Sequence, residues 1–235
     1  MSSEEILLSL QDVSVSFSIR SGFLKWVRSF PLREISFDLR RGETVGVIGR
    51  NGAGKSTLLR LIAGIIEPDK GQVVNHGARV SLLSLGLGFV PHLSGRENAM
   101  LNGILLGLRL REITARMDAV IDFSGLGEQI DRPLHTYSSG MRARLGFAVA
   151  IQTDPDILLI DEILGVGDEE FRIKSNAEIR RLLRSEKTVV LVSHQLPAVK
   201  ELCDRVVWIE DGGIKDSGDT QSVVGRYVEG MRATA

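Results

Sequence analysis

Gly49-Arg50-Asn51-Gly52-Ala53-Gly54-Lys55-Ser56-Thr57 fits G-x-x-x-x-G-K-[ST], and the residues on either side of it fit as well. Thr44 to Ile48 reads as a buried strand and Leu58 to Ala63 as a helix, the strand–loop–helix context in which this pattern cradles a polyphosphate. Glycines at 49, 52 and 54 let the backbone curl with its N–H groups pointing inward, at the positive end of the following helix. In that arrangement Lys55 reaches the β and γ phosphates and the Ser56 hydroxyl ligates Mg²⁺. A glycine-rich turn that binds nothing would have no use for Lys55-Ser56 at a helix start.

At 235 residues the chain is long enough for one large domain or two small ones, and the motifs decide for one. Hydrophobic residues at 43% and charged residues at 25% are ordinary for a soluble globular protein. A formal net charge of -1 argues against a general nucleic-acid binder. Cys203 is the single cysteine, so no internal disulfide forms and an intracellular compartment is the easier reading. No apolar run approaches the roughly 18–20 residues that span a bilayer, and Glu4 and Glu5 before a short apolar stretch do not make a signal peptide. Work at a membrane would need another chain to bring this one there.

The pattern along the chain is α/β. Ile6 to Phe17 alternates as a half-buried strand, with Phe17 either one more core aromatic or a platform for a nucleobase, a stacking contact worth about 1–3 kcal/mol. Arg20 to Pro31 is an insert in which Phe23, Trp26, Val27 and Phe30 fall at helical spacing between Arg20, Lys25 and Arg28. That spacing predicts a turn or two of amphipathic helix, either packed on the domain's own sheet or presented as a docking or membrane-surface element. Ile35 to Leu39 and Gln72 to Val74 are further strands, and Val80 to Val90 is ambiguous.

From Arg96 to Thr153 the periodicity turns helical without a strand to interrupt it, which predicts a helical subdomain inserted between two parts of an α/β core. After Asp154-Pro155 come a strand at Ile157 to Ile160, a helix near Glu169 to Arg184 and a strand at Thr188 to Val192. A helix near Pro197 to Cys203, a hairpin about Asp211-Gly212-Gly213 and a last helix near Ser222 to Met231 complete the chain.

Ligands of such sheets sit beyond the carboxyl ends of the strands, where Asp161 and Glu162 emerge. Asp161 suits Mg²⁺ beside Ser56, and Glu162 suits a base for an attacking water, help typically worth about 10²–10⁴ in rate. An acidic pair after a strand also serves as a plain helix cap; the Gly49 loop upstream favours the chemical role. His194 ends the next strand, where its ring can sense the γ-phosphate or the attacking water. Tyr137-Ser138-Ser139-Gly140-Met141 opens a helix that Ser138 or Ser139 caps, with about half a positive charge at its start. Arg142 and Arg144 after it read as solvent-facing.

Taken in order, Gly49 to Thr57, Tyr137 to Met141, the strand ending in Asp161 and Glu162, Asp168 and His194 resemble an ATP-binding-cassette ATPase subunit over nearly the whole chain. The resemblance implies a phosphate-loop NTPase core of this type, with an N-terminal antiparallel β-subdomain and an inserted helical subdomain. One nucleotide-binding domain would then fill 1–235, with 1–95 and 154–235 as core and 96–153 as the helical part. It implies ATP and Mg²⁺ as cofactors, Gly49, Arg50, Asn51, Gly52, Ala53, Gly54, Lys55, Ser56 and Thr57 around the phosphates, and Phe17 under adenine. Ser56 and Asp161 would hold the metal, and Glu162 and His194 would serve catalysis. A second copy would pair head to tail, its Ser139 and Gly140 gripping the γ-phosphate and Asp168 communicating across the interface.

Tyr137 to Met141, Ser94-Gly95-Arg96-Glu97-Asn98 and Val166-Gly167-Asp168 look like the variant found in exporters of bacterial capsule, O-antigen and teichoic acid. That subfamily implies a polytopic permease partner, a glycan contacted mainly by the permease, and a place on the cytoplasmic face of the inner membrane. Some members continue into a carbohydrate-binding domain, so substrate is recognised elsewhere or the chain has been cut. The glutamine usual between the phosphate loop and the helical subdomain is missing, with His92 a candidate in its place. Other readings are a cassette ATPase of another exporter of lipids or drugs, a soluble cassette ATPase of ribosomes or chromosomes, and a phosphate-loop kinase or GTPase.

Overall fold

The computed structural model describes residues 5–21, 25–83, 88–161 and 168–233, with the backbone alone at 19–21, 25–28 and 233. In chain order the strands are β1 (Ile6–Ser21), β2 (Lys25–Arg40), β3 (Thr44–Ile48), β4 (Lys70–Asn75), β5 (Val80–Leu82), β6 (Ile157–Asp161), β7 (Thr188–Val192), β8 (Arg205–Glu210) and β9 (Gly213–Asp219). The helices are α1 (Lys55–Ile62), α2 (Gly95–Leu105), α3 (Leu110–Ala115), α4 (Met117–Ser124), α5 (Ser139–Ala150), α6 (Glu169–Leu183), α7 (Leu196–Leu202) and α8 (Thr220–Ala233). They fall into two compact units, one of residues 1–82, 156–162 and 183–235, the other of 83–155 and 163–182.

The first unit holds two sheets. One is antiparallel, in the order β2-β1-β4, and the other has six strands in the order β5-β6-β7-β3-β8-β9. All neighbours in the six-stranded sheet are parallel except the β8–β9 hairpin. Parallel strands covered on both faces need continuous apolar runs, and β3 and β7 are buried at every position. Leu10, Leu32, Val47, Leu58, Leu61, Leu159, Val190 and Ile209 belong to one core cluster, so the loops leaving β3, β6 and β7 spring from the best-packed part of this unit. Cys203 is buried, and burial pushes its thiol up to about 12, as expected of a small core residue.

The β1–β2 ribbon pairs Leu8 with Leu39, Leu10 with Phe37, Val13 with Ile35 and Val15 with Leu32, with bulges between these pairs. Asp12 and Glu34 have positive φ there, and serines across the ribbon hold them. The Ser36 hydroxyl accepts the Asp12 N–H at 2.8 Å, and the Ser14 hydroxyl accepts the Glu34 N–H at 3.0 Å.

The insert departs from its predicted helix. β1 and β2 run through it as paired strands, with Ser18 opposite Arg28, Ile19 opposite Val27, Arg20 opposite Trp26 and Ser21 opposite Lys25. Branched and aromatic residues favour the pleated ribbon, and a hairpin already in register extends at little further cost. Spacing over so few residues cannot distinguish the two states. Phe23 lies outside the described residues.

The second unit is helical. Ala99, Ile113, Val120, Ile130, Tyr137, Leu145 and Val149 form its core. Ser94 and Glu97 close a reciprocal capping box at the start of α2. Asn98, fully buried, accepts the Val90 N–H at 2.7 Å and shares its amide protons among the carbonyls of Val90, Leu93 and Ser94. Among the described residues, no helix is long and apolar enough to cross a membrane.

Candidate functional site

In the six-stranded sheet Val192 of β7 stands opposite both Val47 of β3 and Asp161 of β6, so the three strands end nearly level. The loop after β3, the acid that ends β6 and the Ser193-His194 pair after β7 therefore leave one edge of the sheet together.

The loop is held in shape from within. Lys55, 7% exposed, donates from Nζ to the carbonyls of Gly49 at 2.8 Å and Arg50 at 2.9 Å. Gly54 caps α1 at φ 108, and a Cβ there would lie 2.1 Å from the Pro31 carbonyl oxygen, so no other residue fits. No side chain caps α1 and no acid stands in its first turn, which leaves its positive end turned toward the space above the loop.

That space is a cavity of about 320 Å³ lined by Pro31, Asn51, Gly52, Gly54, Lys55, Ser56, Thr57, Asp161, Val192 and His194. Most of the predicted phosphate and metal residues thus meet in one place. Gly49 lines a neighbouring cavity of about 400 Å³, which shares His194. Arg50 and Ala53 line another of about 770 Å³ with Phe30, Arg33 and Glu210. Phe17 stands on β1 opposite Ser29, 43% exposed, so the ring is not a core aromatic. Glu162, Val166 and Gly167 lie outside the described residues.

Ser139, Gly140 and Asp168 belong to the helical unit. Ser138, not Ser139, caps α5, its hydroxyl accepting the Met141 N–H at 3.1 Å, and Ser139 is left exposed at the helix start. Tyr137 anchors the turn: its buried hydroxyl donates to the Gln129 carbonyl at 2.6 Å. Asp168 accepts the Phe171 N–H at 3.0 Å and pairs with Arg144. These contacts, the Phe171 amide first, hold its carboxyl below the usual carboxylate range. His92 is exposed in the segment that Asn98 ties down.

Arg144 is a correction. Instead of facing solvent it pairs with Asp168 and lies 5.4 Å over the Phe171 ring, with its side chain 23% exposed. The available signal was its place one turn before Phe147, on the face of α5 that turns inward.

A family model described as "ABC transporter" matches residues 32–165, more than half of the chain. The O-antigen export system ATP-binding protein RfbB of Klebsiella pneumoniae is 49% identical over 208 residues, 88% of this chain and 85% of the relative. RfbB of Myxococcus xanthus is 48% identical over 91% of this chain and 51% of its own length. The teichoic acids export ATP-binding protein TagH of Listeria monocytogenes serotype 4b (strain F2365) is 44% identical over 84% of this chain and 59% of its own length. This chain thus spans most of the first relative and little more than half of the other two.

Among solved structures, a dimeric ATP-binding cassette in a post-hydrolysis state bound to ADP and Pi superposes with a TM-score of 0.72 at 20% identity, covering 91% of this chain and 98% of that one. The ATP-binding subunit of an ABC transporter gives 0.74 at 22% identity, covering 94% and 93%. At such identities the likeness speaks for the fold. The fold, the phosphate loop that opens on the sheet edge, the matching family model and relatives at nearly half identity together establish that this chain belongs to the ABC transporter family, as one of its ATP-hydrolysing ATP-binding cassettes.

Proposed function

We propose that the chain powers export of a polysaccharide or lipid-linked glycan through a separate transmembrane permease, from the cytoplasmic face of a bacterial inner membrane. The observation that carries this is the 49% identity to an O-antigen export ATP-binding protein along 85% of that protein's length. The teichoic acid relative points to the same class of cargo. Glycan contact falls mainly to the permease, and nucleic acid has no part.

Two copies pair head to tail around ATP. In each, Gly49 to Thr57 wraps the phosphates, Lys55 meets the β and γ groups, and Phe17 offers its exposed ring to adenine. Ser139 and Gly140 of the second copy close on the γ-phosphate with the positive end of α5, and Asp168 relays across the interface. Ser56 and Asp161 line one cavity with the lysine, and a hydroxyl and a carboxylate beside phosphate oxygens fit the hard, oxygen-seeking Mg²⁺. When bound, the ion would neutralise charge developing on the phosphates. Glu162 orients or deprotonates water, and His194 senses the γ-phosphate. ATP favours the closed pair by its differential affinity, and hydrolysis releases it.

Glu162→Gln tests the scheme. ATP binding should persist while turnover falls by about 10²–10⁴ and a dimer accumulates in size-exclusion chromatography. A Glu162→Gln preparation that stays monomeric with saturating ATP contradicts it.

A further inference from the structure

α4, α5 and α6 meet at three phenylalanines. Phe171 stands edge-on to Phe147 and Phe123, each at 5.8 Å, and Phe123 and Phe147 stack at 5.7 Å. A cation closes each end of the cluster. Lys174 lies 4.5 Å over Phe123 and donates to the Phe123 carbonyl at 3.0 Å. Arg144 lies over Phe171 and pairs with the carboxylate that caps α6.

The two cations tie different things together. Lys174 fastens α6 to the end of α4, whereas Arg144 fastens α5, the helix that begins at Ser139, to the first residues of α6, where the chain arrives from Asp161 and Glu162. We propose that Arg144 is a positioning residue for hydrolysis: it locks the Ser139-Gly140 corner to Asp168 and the first turn of α6, so that the corner and the acid proposed to relay across the interface are set as one piece. The guanidinium suits the task because its plane can lie on a ring while its edge meets a carboxylate, which an ammonium cannot do. Partly exposed pairs add little to stability, so the lock acts on alignment more than on folding. The inference rests on the composite ATP site proposed above.

The test compares Arg144→Ala, Arg144→Lys and Lys174→Ala in the full chain, reading kcat, KM, nucleotide Kd and Tm. A corner displaced by a fraction of an ångström costs turnover rather than nucleotide affinity, so Arg144→Ala should lower kcat on the order of tenfold with Kd within about twofold of the parent. Arg144→Lys, which keeps the charge and loses the plane, should fall between, and it keeps the test readable if the alanine variant does not fold. Lys174→Ala, at the other end of the same cluster, should lower Tm comparably and leave kcat within about twofold. An Arg144→Lys or Arg144→Ala enzyme with the parent's kcat, or a loss of kcat that Lys174→Ala shares, overturns the proposal. Failure of the composite site is visible separately, as a Glu162→Gln chain that ATP does not dimerise.

Discussion

Lys55 shows how a single residue prepares a site before its ligand arrives. A buried ammonium needs partners, and two carbonyls of its own loop supply them at 2.8 and 2.9 Å. The side chain thereby fixes the curl of the loop, and in the proposed site it stands where phosphate charge would come. Charged hydrogen bonds contribute about 1.5–3 kcal/mol each, so Lys55→Ala should weaken ATP binding by about 10²-fold or more in a fluorescent-nucleotide titration. Affinity close to that of the parent would show that the lysine only shapes the loop. At this scale the sequence was informative where chemistry and chain position coincide: Lys55, Ser56, Asp161 and His194 line one cavity because each sits in the loop after β3 or at a strand end. For Arg144 the sequence held only its spacing from Phe147; its partners Asp168 and Phe171 were not legible, since they come from a later element.

Two helix starts show what capping does at the scale of elements. α2 begins with its Ser94 and Glu97 exchanging hydrogen bonds with the backbone, so that its start is closed by its own side chains. α1 begins on a left-handed glycine with no capping side chain and no acid, a start that is stable only where something else answers its N–H groups. The first helix is built for structure and the second for binding. Asn98 belongs with the first kind: four hydrogen bonds from one buried amide hold 90–94 against α2. Asn98→Ala leaves those backbone groups without a partner and should cost about 2–4 kcal/mol in denaturant unfolding, with nucleotide affinity unchanged; a loss under about 1 kcal/mol would mean that water replaces the amide. β6 and β7 could be read from sequence as short continuous apolar runs, and α5 from the helical spacing of Met141, Leu145, Ala148 and Val149. The strands at Ile6 to Phe17 and Ile35 to Leu39 could be read too, but their continuation into the insert could not, because bulges break the alternation and the pairing joins residues on both sides of the insert.

At the scale of the whole molecule, the phosphate loop lies on the sheet unit and the serine-glycine corner, proposed to meet phosphate from a second copy, lies on the helical one. A composite site made by two copies gives the corner a purpose that a capped helix alone does not explain. Two features make this directly testable. Lys55→Ala is expected to weaken nucleotide binding enough that, at a concentration that saturates the first copy, the second holds little of its own, and Cys203, buried with its thiol pushed up to about 12, is a poor competitor for thiol reagents. The decisive measurement mixes an otherwise native copy bearing Glu162→Gln with a second, tagged copy bearing Lys55→Ala and Ser139→Cys. An ATP analogue with a thiol-reactive group on its γ-phosphate is added, and covalent capture on the tagged copy is read by mass spectrometry. Capture at position 139 that requires the first copy is the result expected of a γ-phosphate gripped from across the dimer. No capture while the first copy is saturated with the analogue, or equal capture in its absence, would contradict the account.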